Sequence, residues 1–288
     1  IEKITGRRPK FSQTDLLDTN KLNRVFQQNQ IDCVIHFAGL KSIGESIEEP
    51  LKYFNNNITG TVNLLMAMKK YNCKKIIFSS SASVHGTAET MPITESSSLG
   101  VTNPYGRTKL VIEDMLRDLY VSDNGLGIVL LRYFNPIGAH KSGLIGENSN
   151  GVPNNLMPYI CKVAKGEFPY LNVFGNDYDT VDGTGVRDYI HVDDLAAGHI
   201  QAYEKIKFAN GLYTYNLGTG KGYSVLQVVN AFESANNIKI NYRIAPRRAG
   251  DMAAVYADTK KAESELRFKA QYGIDDMCRD SWNFYKHS

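Results

Sequence analysis

Apolar residues gather in short, nearly unbroken runs, separated by segments where they recur every three to four positions. The runs lie within 32–38 (Cys33-Val34-Ile35-His36-Phe37-Ala38), 75–80 (Ile76-Ile77-Phe78) and 127–133 (Ile128-Val129-Leu130-Leu131). Such continuity suits strands buried on both faces of a parallel sheet. The intervening periodicity predicts helices over roughly 19–30, 49–71 and 104–121. Strand and helix in alternation predict an α/β fold with a doubly wound parallel sheet. Past residue 135 the pattern changes. Loops lengthen over 138–153, strands shorten (170–174, 188–192, 212–217), and helices are expected near 193–207, 225–236 and 274–286. We read a first domain over 1–135 and a smaller mixed α/β domain over 136–288, the chain crossing back to the first lobe within about 187–218. A ligand is expected at the carboxyl ends of the parallel strands, facing the second lobe. The opening Ile1-Glu2-Lys3-Ile4-Thr5-Gly6 reads as the last turn of a helix with a Gly stop, so a preceding segment is expected.

Composition narrows the class. Of 288 residues, 42% are hydrophobic and 22% charged, the balance of a soluble globular protein, which excludes disorder and collagen-like repeats. The net charge of +3 is mild, and the basic pairs Arg7-Arg8, Lys74-Lys75, Arg247-Arg248 and Lys260-Lys261 are scattered. No basic stripe for nucleic acid results. Cys33, Cys73, Cys161 and Cys278 form no CxxC, which points to a reducing, cytoplasmic location and away from a zinc ribbon. No apolar stretch approaches the roughly 18 residues of a membrane span. No HExxH or paired Cys/His spacing occurs, so no metal is expected. His36 and His191 fall in strand patterns and read as hydrogen-bonded core histidines.

The chemistry concentrates in Asn103-Pro104-Tyr105-Gly106-Arg107-Thr108-Lys109. Asn103 suits a helix cap and Pro104 the first helical position. Tyr105 and Lys109 then stand one turn apart on one face. A free phenol titrates near about 10, and a neighbouring ammonium favours the phenolate, so Lys109 is expected to lower Tyr105 toward a usable general base. Alone, the pair also fits a Tyr packed on a Lys stem. The strand at 75–80 runs into Ser79-Ser80-Ser81-Ala82-Ser83, which is either a Ser-rich turn or a source of a hydroxyl at the ligand end of the sheet.

Ser81, Tyr105 and Lys109 resemble the triad of the short-chain dehydrogenases/reductases, in their extended, sugar-nucleotide branch. The likeness narrows further. Phe37-Ala38-Gly39-Leu40-Lys41, Phe78-Ser79-Ser80-Ser81-Ala82, Leu131-Arg132-Tyr133-Phe134-Asn135-Pro136, Pro153-Asn154-Asn155-Leu156, Phe174-Gly175-Asn176-Asp177-Tyr178 and 182–192 resemble the UDP-glucose 4-epimerase family, in one register along nearly the whole chain. The resemblance implies an NAD-binding Rossmann-type first domain and a UDP-sugar-binding second one. It implies interconversion of UDP-glucose and UDP-galactose through a 4-keto sugar, and a homodimer. By resemblance Tyr105 takes the C4 hydroxyl proton, Lys109 holds the nicotinamide ribose, and Ser81 hydrogen-bonds the reacting hydroxyl. NAD would be held by Asp15, Leu16, Phe37, Ala38, Gly39, Leu40, Lys41, Asn57, Ser81, Tyr105, Lys109, Tyr133 and Phe134. The UDP-sugar falls to Ser81, Tyr105, Asn135, Asn155, Leu156, Asn172, Val173, Phe174, Arg187, Arg248, Asp251 and Val255. Two planar guanidinium forks suit a diphosphate, although Arg187 and Arg248 could each be surface salt-bridge residues. Lys41 and Asn57 stand out as polar residues without a packing motive.

Several departures matter. The family's Gly-rich turn after the first strand is absent, together with the acidic residue that reads the ribose. Gly218-Thr219-Gly220-Lys221-Gly222 has the wrong spacing and lies in the wrong lobe to replace it. His85 stands where the family usually has Tyr, and is read as a packing or supporting residue. Ala249 replaces a usual Glu. Val255 occupies the family's size gate and leaves room for N-acetyl sugars. A 4,6-dehydratase would need an acid beside the strand-end hydroxyl, where this chain has Ala82 and Ser83. An inactive fragment or binding remnant is the non-enzyme alternative. Leu64, Leu65, Met68, Met115 and Leu119 could face a partner or the core.

Overall fold

The computed structural model describes residues 1–88, 90–148, 151–248 and 250–287. In chain order the first elements are α1 (Glu2–Thr5), α2 (Thr19–Gln28), β1 (Val34–His36), α3 (Ile43–Glu48), α4 (Pro50–Tyr53), a π-helical stretch (Phe54–Thr59), α5 (Gly60–Lys70) and β2 (Lys75–Ser81). A short 3₁₀ turn (Ala82–His85) leads towards α6 (Pro104–Ser122), β3 (Gly127–Tyr133), β4 (Asn135–Ile137), α7 (Leu156–Ala164), β5 (Leu171–Phe174) and β6 (Val186–His191). Then come α8 (Val192–Ile206), β7 (Gly211–Leu217), β8 (Gly222–Ser224), α9 (Val225–Asn236), β9 (Tyr242–Ala245), β10 (Ala254–Val255), α10 (Lys260–Leu266) and α11 (Ile274–Tyr285).

The apolar runs become the parallel sheet β1-β2-β3-β7. Alternate side chains of β2 and β3 leave on opposite faces, as a period of two requires. Phe78, Ile128 and Leu130 meet Leu22, Phe26, Leu64, Met68, Ile112 and Leu116 from α2, α5 and α6. Ile77, Val129 and Leu131 meet Ala202, Ile206, Leu266 and Phe268 on the other side. Each such burial contributes about 1.5–3 kcal/mol. Leu64 and Met68 are thereby core residues, while Leu65 and Leu119 pack at its margin.

The chain leaves this sheet at Phe134, since β4 pairs with β6, β10 also lies beside β6, and β8 runs antiparallel to it. It returns for β7 and leaves again. The second lobe packs α7, α9 and α11 around Ile160, Cys161, Val173, Val228, Phe232, Met277 and Cys278.

Three differences from expectation have local causes. Only Val34–His36 of 32–38 pairs, with β2. The helix expected over 49–71 is interrupted by the π stretch, where three asparagines and β-branched residues have weak helix preference. Helices α3 and α10 went unpredicted because 6 and 7 residues carry too little periodicity.

The Gly-rich stretch at 218–222 binds an internal anion. Asp188, fully buried, accepts Thr219 N–H at 2.8 Å, Thr219 Oγ1 at 2.7 Å, Gly220 N–H at 3.0 Å and Ala257 N–H at 3.2 Å. A Cβ on Gly218 would lie 2.5 Å from that carboxylate, so only glycine fits.

Candidate active site

The carboxyl ends of β1, β2 and β3 converge with the start of α6. Asn103 Oδ1 accepts Gly106 N–H at 2.8 Å, and Pro104 opens the helix. The cap fixes Tyr105 over the end of β2, with its phenol near enough to feel the Ser81 side chain. Ser81 Oγ also meets Ser83 Oγ at 3.1 Å. Lys109, 6% exposed, donates to the Ser79 carbonyl at 2.6 Å and has its Nζ 5.9 Å from the Tyr105 ring centroid. Strand end and helix therefore bring Ser81, Tyr105 and Lys109 together.

The electrostatics differ from expectation. Burial pushes the Tyr105 phenol above its ordinary value, against the pull of Ser81. Burial also brings Lys109 down to about 8. Both groups lose water, and desolvation penalises each charged form. For Lys109 the folded value lies below the unfolded one. Between them the unfolded chain holds a proton that the folded chain lacks, so stability rises with pH. The stability of the cofactor-free protein relative to Lys109→Met should therefore grow between about pH 8 and 10. Thermal melts of both proteins across that range check this; a flat difference would mean that Lys109 keeps its proton.

Asn57 has a clear packing role, contrary to expectation. Buried in the π stretch, its Oδ1 accepts Leu40 N–H at 2.8 Å, and its Nδ2 donates to the Leu40 carbonyl at 3.0 Å and to Thr108 Oγ1 at 3.0 Å. It locks the 37–41 turn to α6. Gly39 leaves this clasp room, since a Cβ there would stand 3.3 Å from Asn57 Oδ1. Ala38 is exposed and Lys41 reaches Glu147 at 3.1 Å. Phe37, 58% exposed, lies tilted against His199 with centroids 4.8 Å apart. His199 Nδ1 meets the Leu195 carbonyl at 2.7 Å, leaving Nε2 to accept the Tyr133 hydroxyl. Phe134 is buried at the crossing between sheets. Asp15 accepts Leu17 N–H at 2.8 Å, and Leu16 lies against Gly60. Phe37, Tyr133, Tyr105 and Lys109 lie along the carboxyl ends of β1, β2 and β3.

In the second lobe the UDP-sugar candidates engage one another. Arg187 Nη2 meets Asp251 Oδ1 at 3.3 Å, and its Nη1 donates to the Val186 and Met252 carbonyls at 2.8 and 2.9 Å. The Arg248 guanidinium lies 3.9 Å from the Phe174 ring centroid. Asn172 Oδ1 accepts Arg243 Nε at 2.7 Å. Val173 points into the second core. Asn155 precedes α7 and donates to Glu147 at 3.0 Å without capping its own helix, while Leu156 packs on the second core. Asn135 pairs opposite Tyr189. Val255 packs beside Phe134 and Ile93. Ala249 lies outside the described residues.

His85 is buried, its Nδ1 3.1 Å from the Ser98 carbonyl and its Nε2 3.2 Å from Arg132. Burial, then the Arg132 charge, depresses its pKa. His36 bonds Thr61 at 2.8 Å and burial takes it to about 4. No group of acidic, His or Cys side chains among the described residues could hold a metal. Sequence reasoning missed Glu147 and His199, which touch expected site residues, and also Glu113. Glu113 follows Lys109 by four positions, a signal the spacing did carry.

The sequence model of the GDP-mannose 4,6 dehydratase family matches residues 2–281. A UDP-glucose 4-epimerase of Bacillus subtilis (strain 168) is 57% identical over 284 residues, 99% of this chain and 84% of that protein. The crystal structure of a Stenotrophomonas maltophila UDP-glucose-4-epimerase with bound NAD and formylated UDP-arabinopyranose superposes with a TM-score of 0.97 at 48% identity, covering 99% of this chain and 85% of that one. A UDP-Glc/GlcNAc 4-epimerase from Campylobacter jejuni aligns with a TM-score of 0.85 at 33% identity, covering 100% and 87%.

Proposed function

Since the chain belongs to the UDP-glucose 4-epimerase family of extended short-chain dehydrogenases/reductases, we propose that it is an NAD-dependent enzyme that interconverts UDP-glucose and UDP-galactose. The observation that carries this reading is the convergence of Ser81, Tyr105 and Lys109 at the carboxyl end of β2. NAD, when bound, supplies the acceptor and donor of the C4 hydride. Tyr105 takes the proton from the sugar O4 as C4 becomes a ketone, and returns it once the sugar has turned over. Ser81 holds O4 by a hydrogen bond. Lys109 sits where it would hold the ribose hydroxyls and bring positive charge to the phenolate. Burial alone raises Tyr105, so the base must gain its acidity from the charge of bound cofactor and of Lys109.

Arg187 and Arg248 would bind the diphosphate by exchanging Asp251 and the Phe174 ring for phosphate oxygens, a stronger charge-assisted contact. Asp251, freed from Arg187, would accept ribose hydroxyls. The β5 backbone with Phe174 would take the uracil. Val255, smaller than an aromatic residue, would leave room beside the sugar, which supports activity on UDP-N-acetylglucosamine and UDP-N-acetylgalactosamine as well. The family model is named for a dehydratase, but Ala82 and Ser83 supply no acid for expelling a C6 hydroxyl.

We further propose a homodimer through α5 and α6, where Met66 is 66% exposed and Val121 85%. A cytoplasmic location fits the four free cysteines. No helix among the described residues is long and apolar enough to cross a membrane.

The test is an absorbance spectrum of purified protein before and after each UDP-hexose, with turnover measured for both the plain and the N-acetyl pairs. Partial reduction of a bound nicotinamide is expected, with turnover of both pairs. A protein that carries NAD yet shows neither reduction nor turnover would overturn the epimerase reading. Turnover of the plain pair alone would overturn the N-acetyl one.

A further inference from the structure

Tyr105, Lys109 and Glu113 stand at successive four-residue steps of α6, and all three turn towards the sheet. The first two meet the reactive strand end. Glu113 meets the layer directly beneath it. Its side chain is fully buried and its carboxylate accepts four donors: Ser80 Oγ at 2.5 Å and Arg132 Nε at 3.0 Å on Oε1, Arg132 Nη2 at 2.7 Å and Arg117 Nη2 at 2.6 Å on Oε2. Every one of its lone-pair positions is used. Arg132, 1% exposed, directs Nη1 at the Glu95 carbonyl at 3.0 Å and at His85 Nε2 at 3.2 Å. Glu95 in turn accepts Asn216 N–H at 2.7 Å.

The bonding positions share a register. Ser80 precedes Ser81, Arg132 precedes Tyr133 and pairs opposite Ser80 in the sheet, and Asn216 pairs opposite Arg132. His85 ends the 3₁₀ turn that begins beside Ser81. We propose that the Glu113–Arg132 pair is a positioning centre for the proposed epimerase reaction, locking the register of α6 against the ends of β2, β3 and β7 so that Tyr105 and Ser81 meet the same sugar oxygen. This rests on the proposed function and adds to it a residue pair that touches neither cofactor nor sugar.

A buried bidentate pair suits this task. Hydrophobic residues could fill the same volume with equal or greater stability, but without fixing one register. Charge-assisted forks are directional, so a slip of α6 along the sheet would break several bonds at once. The neighbouring groups agree: burial depresses the pKa of His85, which keeps Nε2 free to accept from Arg132.

The experiment compares holoenzyme with Glu113→Gln, Ser80→Ala and Arg132→Lys. Glu113→Gln puts an amide donor against guanidinium donors. Its kcat is expected to fall about 10- to 100-fold, the scale of a misplaced reacting group. KM for the UDP-hexose and the bound NAD should stay within about two-fold of wild type, since neither ligand touches Glu113. Reduction of bound nicotinamide by UDP-hexose should slow in parallel with kcat. Ser80→Ala removes one bond of the centre and should lower kcat about three- to ten-fold with KM unchanged. Arg132→Lys keeps the charge but not the fork and should fall to the Glu113→Gln level, not recover. If Glu113→Gln does not fold, Ser80→Ala decides. Variants that lose thermal stability but keep wild-type kcat, or that raise KM at constant kcat, would overturn the positioning role. Absence of turnover in wild-type holoenzyme would instead defeat the proposed function.

Discussion

Tyr105→Phe is expected to lower epimerase turnover by about 10²–10⁴-fold, the range a positioned general acid–base contributes. The change removes a single oxygen. The half-buried ring can keep its place at the start of α6, because the cap from Asn103 to Gly106 N–H is untouched. The lost group is the one whose hydroxyl meets Ser81 and would face the sugar oxygen. Affinity for UDP, which carries no hexose, should stay within about two-fold, because the residues proposed to hold it lie on β5, β6 and the segment before β10. Steady-state kinetics and UDP titration check both arms. A loss of less than about ten-fold would show that another group moves the proton.

The largest effect on stability is expected at Asp188. Replacing it with Ala removes the acceptor for Thr219 N–H, Thr219 Oγ1, Gly220 N–H and Ala257 N–H together. These donors lie where β6, the turn after β7 and the segment after β10 meet, and little water can replace the carboxylate. Each buried donor left without a partner costs about 1–3 kcal/mol, and loss of a buried charge with its partners typically costs 3–5. We expect Asp188→Ala to lose about 3–5 kcal/mol and roughly 8–15 °C of thermal midpoint. Asp188→Asn, which keeps one acceptor oxygen, should fall between. Differential scanning calorimetry reads both. A drop below about 1 kcal/mol for the Ala variant would mean that the turn reorganises around the gap.

This cage also shows where sequence reading stopped. Gly218-Thr219-Gly220 was legible as a glycine-rich turn whose spacing argued against a dinucleotide site. That the anion is Asp188, 30 residues upstream, follows only from the packing of β6 against the loop after β7. The parallel sheet was legible for a different reason. Its strands are buried on both faces, and an unbroken apolar run leaves few other places to go. The Asn103–Lys109 segment was legible because capping and helical spacing are local rules, acting within seven residues.

The tertiary structure decided what depends on neighbours from elsewhere in the chain. Asn57 looked like a polar residue without a packing motive, but its partners are Leu40 and Thr108. The Tyr105–Lys109 pair was expected to share charge, yet both are drawn into a dry strand end, and desolvation sets their direction. The sequence by itself determined the alternation of strand and helix and the capped start of α6, because these rest on local periodicity and short-range spacing. Only the packed chain decided which polar residues hold each other and which are left facing a ligand, because hydrogen-bond partners and burial arise from segments that the sequence keeps far apart.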